Sequence, residues 1–172
     1  MNMVFNFFRI RRYKKMINTG ANFVLQDFAE IVAHTINRLE TEGRIKSSLH
    51  KEVLKFEFTA VIFWFFRRSE VFPEVMHRST LDEVHQLYFS KLKKSGYTRD
   101  QVQLICEDLN ERYRLYDKLD NPDDFVKIGT NFAKIISNRA NTEIDATEII
   151  MPIALIEQVK SRFEEYRTVL QS

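Results

Sequence analysis

The chain has 172 residues, 44% of them hydrophobic and 29% charged, which excludes a disordered or fibrous protein and suffices for one domain with its own core. The net charge of +2 is unevenly spread: residues 1–26 hold Arg9, Arg11, Arg12, Lys14 and Lys15 and no acid, so the rest of the chain carries −3, which argues against a broad nucleic-acid-binding face. The single cysteine, Cys106, excludes an internal disulfide and a zinc cluster built on thiolates, and it suits a reducing compartment, the cytoplasm.

Four Gly and three Pro against fifteen Phe favour long helices over a turn-rich β fold. The first eighteen residues read as a basic, aromatic leader with little fixed structure. Their cations follow the apolar residues instead of preceding them, so they do not form a secretory signal. Clustered Arg and Lys beside Phe also suit transient contact with an anionic lipid surface.

From there the apolar period is helical. Leu25, Phe28, Val32, Ile36 and Leu39 predict a first helix over 21–42, with Gly43 placed to end it. Ser47 or Ser48 caps a second helix over 48–68. Two parallel stripes run along it, Leu49, Val53, Phe56, Ala60, Phe63 and Leu54, Phe58, Val61, Phe65, so its second half is apolar on all sides. Its nine uncharged residues, 58–66, are far short of the ~20 a bilayer requires. A helix apolar all round is one that its neighbours enclose.

Pro73 closes that region. Thr80-Leu-Asp-Glu83 reads as a capping box opening a third helix, with Leu81, Val84, Tyr88 and Leu92 on its face and Gly96 at its end. Thr98-Arg-Asp-Gln101 is a second box, ahead of Val102, Ile105, Leu109, Tyr113 and Tyr116. Asn121-Pro122-Asp123-Asp124 is a third start signal, for a helix through Phe125, Ile128, Phe132 and Ile136. A polar connection, 138–142, leads to a last helix on Ile156, Val159, Phe163, Tyr166 and Leu170, which Pro152 either opens or kinks. The expected fold is therefore all-α: one bundle of about six helices over 19–172, centred on 48–68.

Motifs with chemistry are few. The scattered glycines leave no phosphate loop or dinucleotide fingerprint, and no nucleophile elbow is present. Cys106 reads as a small core thiol. Glu74 and His77, and Asp82 and His85, have the i, i+3 spacing of carboxylate–histidine metal pairs. The match to a di-metal bundle is poor, because Glu74 follows Pro73 in an expected turn and Asp82 replaces Glu. No motif implies a cofactor. Glu57 stands out because Phe56, Phe58, Val53 and Val61 surround it. It needs an Arg from another helix or an exposed edge, and otherwise it is a perturbed acid lining a pocket.

The leading functional expectation is a non-catalytic protein–protein interaction module that self-associates as a homodimer, through Phe66, Phe72, Tyr113, Tyr116 and Arg112, the residue types of interface hot spots. The alternatives are a ligand- or metal-binding bundle around Glu57 and the His/acid pairs, and a peripheral membrane or nucleic-acid adaptor using the leader.

Overall fold

The computed structural model describes residues 2–69, 74–118, 125–143 and 146–171, with side chains for 13–69, 77–118, 126–143 and 148–166. Six helices follow in order: α1 Asn2–Thr41, α2 Ser48–Arg68, α3 Glu74–Lys94, α4 Arg99–Tyr116, α5 Phe125–Ala140 and α6 Ala146–Gln171. There is no strand among the described residues, and no described helix is long and apolar enough to cross a membrane.

The predicted helix ends are present in atomic detail. Past α1, the Arg44 N–H bonds to the Leu39 carbonyl at 2.8 Å and the Gly43 N–H to Glu40 at 3.1 Å, with Gly43 at φ 68°. This Schellman arrangement requires a left-handed residue, which glycine adopts without steric penalty. The same pair of bonds closes α3 at Gly96, from Tyr97 to Leu92 and from Gly96 to Lys93. Ser47 caps α2 by accepting from the His50 N–H. Thr98 and Gln101 form the full reciprocal box ahead of α4. The start signal at 121–124 lies outside the described residues.

Two expectations are corrected. The first helix begins at Asn2 instead of near residue 21, and its 40 residues span about 60 Å. Gly20 is the one glycine within it and there is no proline, and one glycine weakens a helix without ending it. The second correction concerns Thr80, which caps nothing. It is buried inside α3, which starts six residues earlier at Glu74. Residues 74–79 contain no breaker, so the helix continues back to the position after Pro73. Glu74 therefore stands in the first turn of a helix, not in a connection. Of the two placements expected for Pro152, the structure has the second: it does not open α6. It lies within the helix and removes the amide that would have bonded to the Glu148 carbonyl.

Around α2 stand the other five helices. Phe28 of α1 packs on Phe63 and Phe66 while Glu40 pairs with Lys51, so α1 runs antiparallel to α2. Glu57 and Trp64 meet Arg112 and Asp117 of α4 in parallel order, and His50 and Phe65 meet Glu148 and Phe163 of α6 likewise. Phe58 stacks on Phe132 of α5 at 5.2 Å. Phe58, Ile62, Phe63, Trp64 and Phe66 are all but fully enclosed. Burial of such a side chain contributes roughly 1.5–3 kcal/mol. The apolar run thus outweighs the many exposed ion pairs, worth about 0–1 kcal/mol each.

The α5–α6 hairpin brings two helix backbones together. At Gly129 an added Cβ would collide with the Ile149 carbonyl oxygen, so the two backbones touch there. Gly129→Ala is expected to destabilise the fold by roughly 1–3 kcal/mol, the range for overpacking, seen as a lowered urea midpoint. Gly20→Ala is expected to act oppositely. A Cβ there meets nothing within 4 Å, and the gain is roughly 0.5–1 kcal/mol from helix propensity.

Candidate functional site

The most charged interior position is Glu57, fully buried in the middle of α2. The Arg112 Nε reaches both of its oxygens at 3.1 and 3.0 Å, and Arg139 Nη1 approaches from α5 at 3.2 Å. Arg139 also donates to Asp108 of α4 at 2.7 Å. Burial raises the Glu57 carboxyl above its ordinary value, and the two guanidiniums oppose that rise. Charges balance within the cluster, so it serves as an ionic clamp joining α2, α4 and α5. Nearby, Tyr116 is enclosed beside Trp64, and its hydroxyl has no hydrogen-bond partner among the described residues. Desolvation drives the Tyr116 hydroxyl upward, so it stays protonated.

A second buried pair ties the start of α2 to α6. The Lys46 backbone N–H donates to His50 Nδ1 at 3.1 Å, so Nδ1 is the bare nitrogen and Nε2 carries the proton facing Glu148 at 3.1 Å.

Three openings lie along α3. This helix packs along α1, with Val84 buried, and meets α2 mainly through rings: His85 and Tyr88 on Phe63, and His77 on Phe66. At one end is a polar cleft of about 320 Å³ lined by Arg67, Asp82, His85, Tyr113, Arg114 and Asp117 among others. There the Trp64 Nε1–H and Arg67 both donate to Asp117, and Arg67 lies over the Tyr113 ring. His85 Nε2 is 2.6 Å from the Tyr113 hydroxyl, while the Leu81 carbonyl takes a hydrogen bond from the same ring. The neutral ring therefore accepts from Tyr113. Desolvation lowers His85 below the usual histidine value, against the upward pull of the Leu81 carbonyl and Asp82.

At the other end is an apolar groove of about 340 Å³ between α1, α2 and α3. Leu25, Phe28, Val32, Phe63, Tyr88 and Leu92 form its walls, and Lys55 and Lys91 stand among its lining residues. Tyr88, Leu92, Lys55 and Thr59 also line an adjoining hollow toward α4. Burial pushes the Tyr88 hydroxyl up to about 12, so it adds no charge to the walls. The exposed Ala29 and Ala33 leave the α1 wall low.

These placements redistribute the residues singled out from sequence. Glu57 finds its Arg. Asp82, His85 and Tyr113 share the polar cleft, with Arg112 just behind it in the clamp. His77 is buried against Phe66, and His34 and His50 lie elsewhere on α1 and α2. No group of three or more potential metal ligands converges among the described residues. The aromatic partner surface is corrected: Phe66 and Tyr116 are fully enclosed, and Tyr113 and Arg112 are buried. Their periodic positions belong to the face of each helix that turns inward. Phe72 lies outside the described residues, as do the side chains of Arg9, Arg11 and Arg12, whereas Lys14 and Lys15 are exposed. Cys106 is half-buried and takes a 3.7 Å contact from the Asn110 amide. The groove lining was missed, although Ala29 and Ala33, one turn apart beside the Leu25–Val32 stripe, are its trace in the sequence. No protein-family model matches the chain, and no curated protein or solved structure shows significant similarity to it.

Two outcomes follow. Glu57→Ala is expected to destabilise the chain by about 3–5 kcal/mol, because it strands Arg112 in the interior. The double change Glu57→Met with Arg112→Leu is expected to cost much less than the two single changes summed. A urea double-mutant cycle measures the difference, and strict additivity would show that the clamp is not coupled. For His85, the depressed folded value means that the unfolded chain binds its proton more readily. The stability the neutral ring provides is complete above the unfolded value, about 6.5, and is lost as pH falls through the lower folded value. Denaturation midpoints between pH 7 and 5 are expected to fall less steeply in His85→Gln than in the parent.

Proposed function

We propose that this chain is a non-catalytic binding protein whose apolar groove between α1, α2 and α3 receives an apolar ligand. The observation that carries this reading is the groove itself. It has the volume of a small-molecule site, walls of Leu, Phe and Val, and few polar groups. The charged interior groups favour binding over catalysis. Glu57 is neutralised by two arginines, and His85 is engaged by Tyr113 and Leu81. Neither is presented to the groove.

Titration with the neutral apolar dye Nile red tests it. One saturable site is expected. Ala33→Trp, at an exposed lining position, is expected to abolish the fluorescence gain while leaving the circular dichroism and thermal midpoint unchanged. Dye binding that ignores the filled groove would sink the reading.

Self-association is the second reading, and a separate observation favours it. Met16 and Phe23 are exposed two turns apart on α1, and an added Cβ at Gly20 between them would meet open space. Such a stripe suits the same stripe on a second copy. Native mass spectrometry at two concentrations is expected to show dimer that Phe23→Ser removes. A monomer throughout would exclude this reading.

A further inference from the structure

The groove carries more chemical information than its apolarity. Its described lining contains two cations, Lys55 from α2 and Lys91 from α3, and no carboxylate, in a chain that has 24 acids. Lys55 already pairs with Glu52 at 2.8 Å. Lys91 is exposed and makes no ion pair among the described residues. Ser95, one turn beyond Lys91, adds a hydroxyl on the same side. The negative end of the α3 dipole lies here as well, and Lys91, Lys93 and Lys94 offset it.

The walls also restrict what can enter. A helix, about 10–12 Å across with its side chains, would place only a few anchor side chains in a hollow of about 340 Å³. An extended peptide would bury amides that need partners. Thr59, the hydroxyl facing the groove from α2, already donates to the Lys55 carbonyl at 2.8 Å. An unbranched hydrocarbon asks for no such partners.

Resting on the reading of the groove as a ligand site, we propose that its ligand is a single-chain anionic amphiphile of the fatty-carboxylate class. The acyl chain lies along Leu25, Phe28, Val32, Phe63 and Leu92. The carboxylate lies at Lys91, with Lys55 on the opposite wall. The apolar contacts supply affinity, and the lysines supply the choice of headgroup.

The test displaces Nile red from the full chain with laurate, dodecanol or dodecyltrimethylammonium, which share a chain length and differ in headgroup charge. Laurate is expected to displace the dye at concentrations roughly two- to fivefold lower than dodecanol for each lysine engaged, the range set by an exposed charge pair. The cationic amphiphile is expected to be weakest. Lys91→Glu should reverse the preference for laurate without changing the competition by dodecanol, whereas Lys93→Glu, outside the groove, should change neither. Equal competition by acid and alcohol, or an unaltered preference in Lys91→Glu, would overturn the carboxylate assignment while leaving the groove as an apolar site. Dye that binds in the groove but yields to none of the three would overturn the amphiphile and assign the groove to apolar side chains of a protein partner. Failure of the dye itself to bind would remove the underlying reading.

Discussion

Helix α2 has no polar face along its second half, and the need to enclose it on every side places the rest of the molecule. Five helices surround it because from Phe58 to Phe66 there is no direction in which it can face water without exposing Phe, Ile or Trp. That requirement is not directional, and by itself it would tolerate sliding and rotation of the neighbours. Glu57 removes part of that freedom. A buried carboxylate must be met by donors, and the donors come from α4 and α5 at 3.0–3.2 Å. His50 with Glu148 ties the far end of α2 to α6 in the same way. Apolar burial thus supplies the energy, and two buried polar links select which residues face one another.

The hollows follow from the one neighbour that meets this demand poorly. α1 offers α2 a wall of Leu and Phe, and α5 and α6 offer Phe132 and Phe163. α3 offers Val84 together with the mixed set Leu81, His85, Tyr88 and Leu92, and hollows remain along its seam. The result is a polar cleft near Asp117 and an apolar groove near Lys91. The two differ because their partners differ. Charged ends of α2 and α4 line the first, and the aliphatic flank of α1 lines the second. A packing defect in the core becomes a surface with chemical character, and that links the fold to its proposed use.

Much of the architecture was legible in the chain. The apolar stripes located all six helices, and the glycines at 43 and 96 and the Thr98 box marked real ends, because these signals act within one turn. Errors arose where a local signal competed with a continuing helix. Thr80 and Glu83 have the spacing of a cap, but nothing upstream breaks the helix, and a buried Thr is carried inside it. The leader looked separate because of its charge, yet charge does not end a helix. The residue types of Phe66, Tyr113 and Tyr116 suggest a surface, because Tyr and Arg are the residues of interfaces. The same residues suit an interior that contains a buried acid.

The sequence by itself determined the helical class, most element boundaries, the centrality of α2 and the requirement that Glu57 find a cation, because these depend on periodicity, capping chemistry and the cost of burying a charge. Only the tertiary structure decided which arginines answer Glu57, that His85 meets Tyr113, and that α3 leaves a groove with Lys91 beside it. Those facts depend on which helix faces which across separations of 28 to 82 residues, and no local pattern records that.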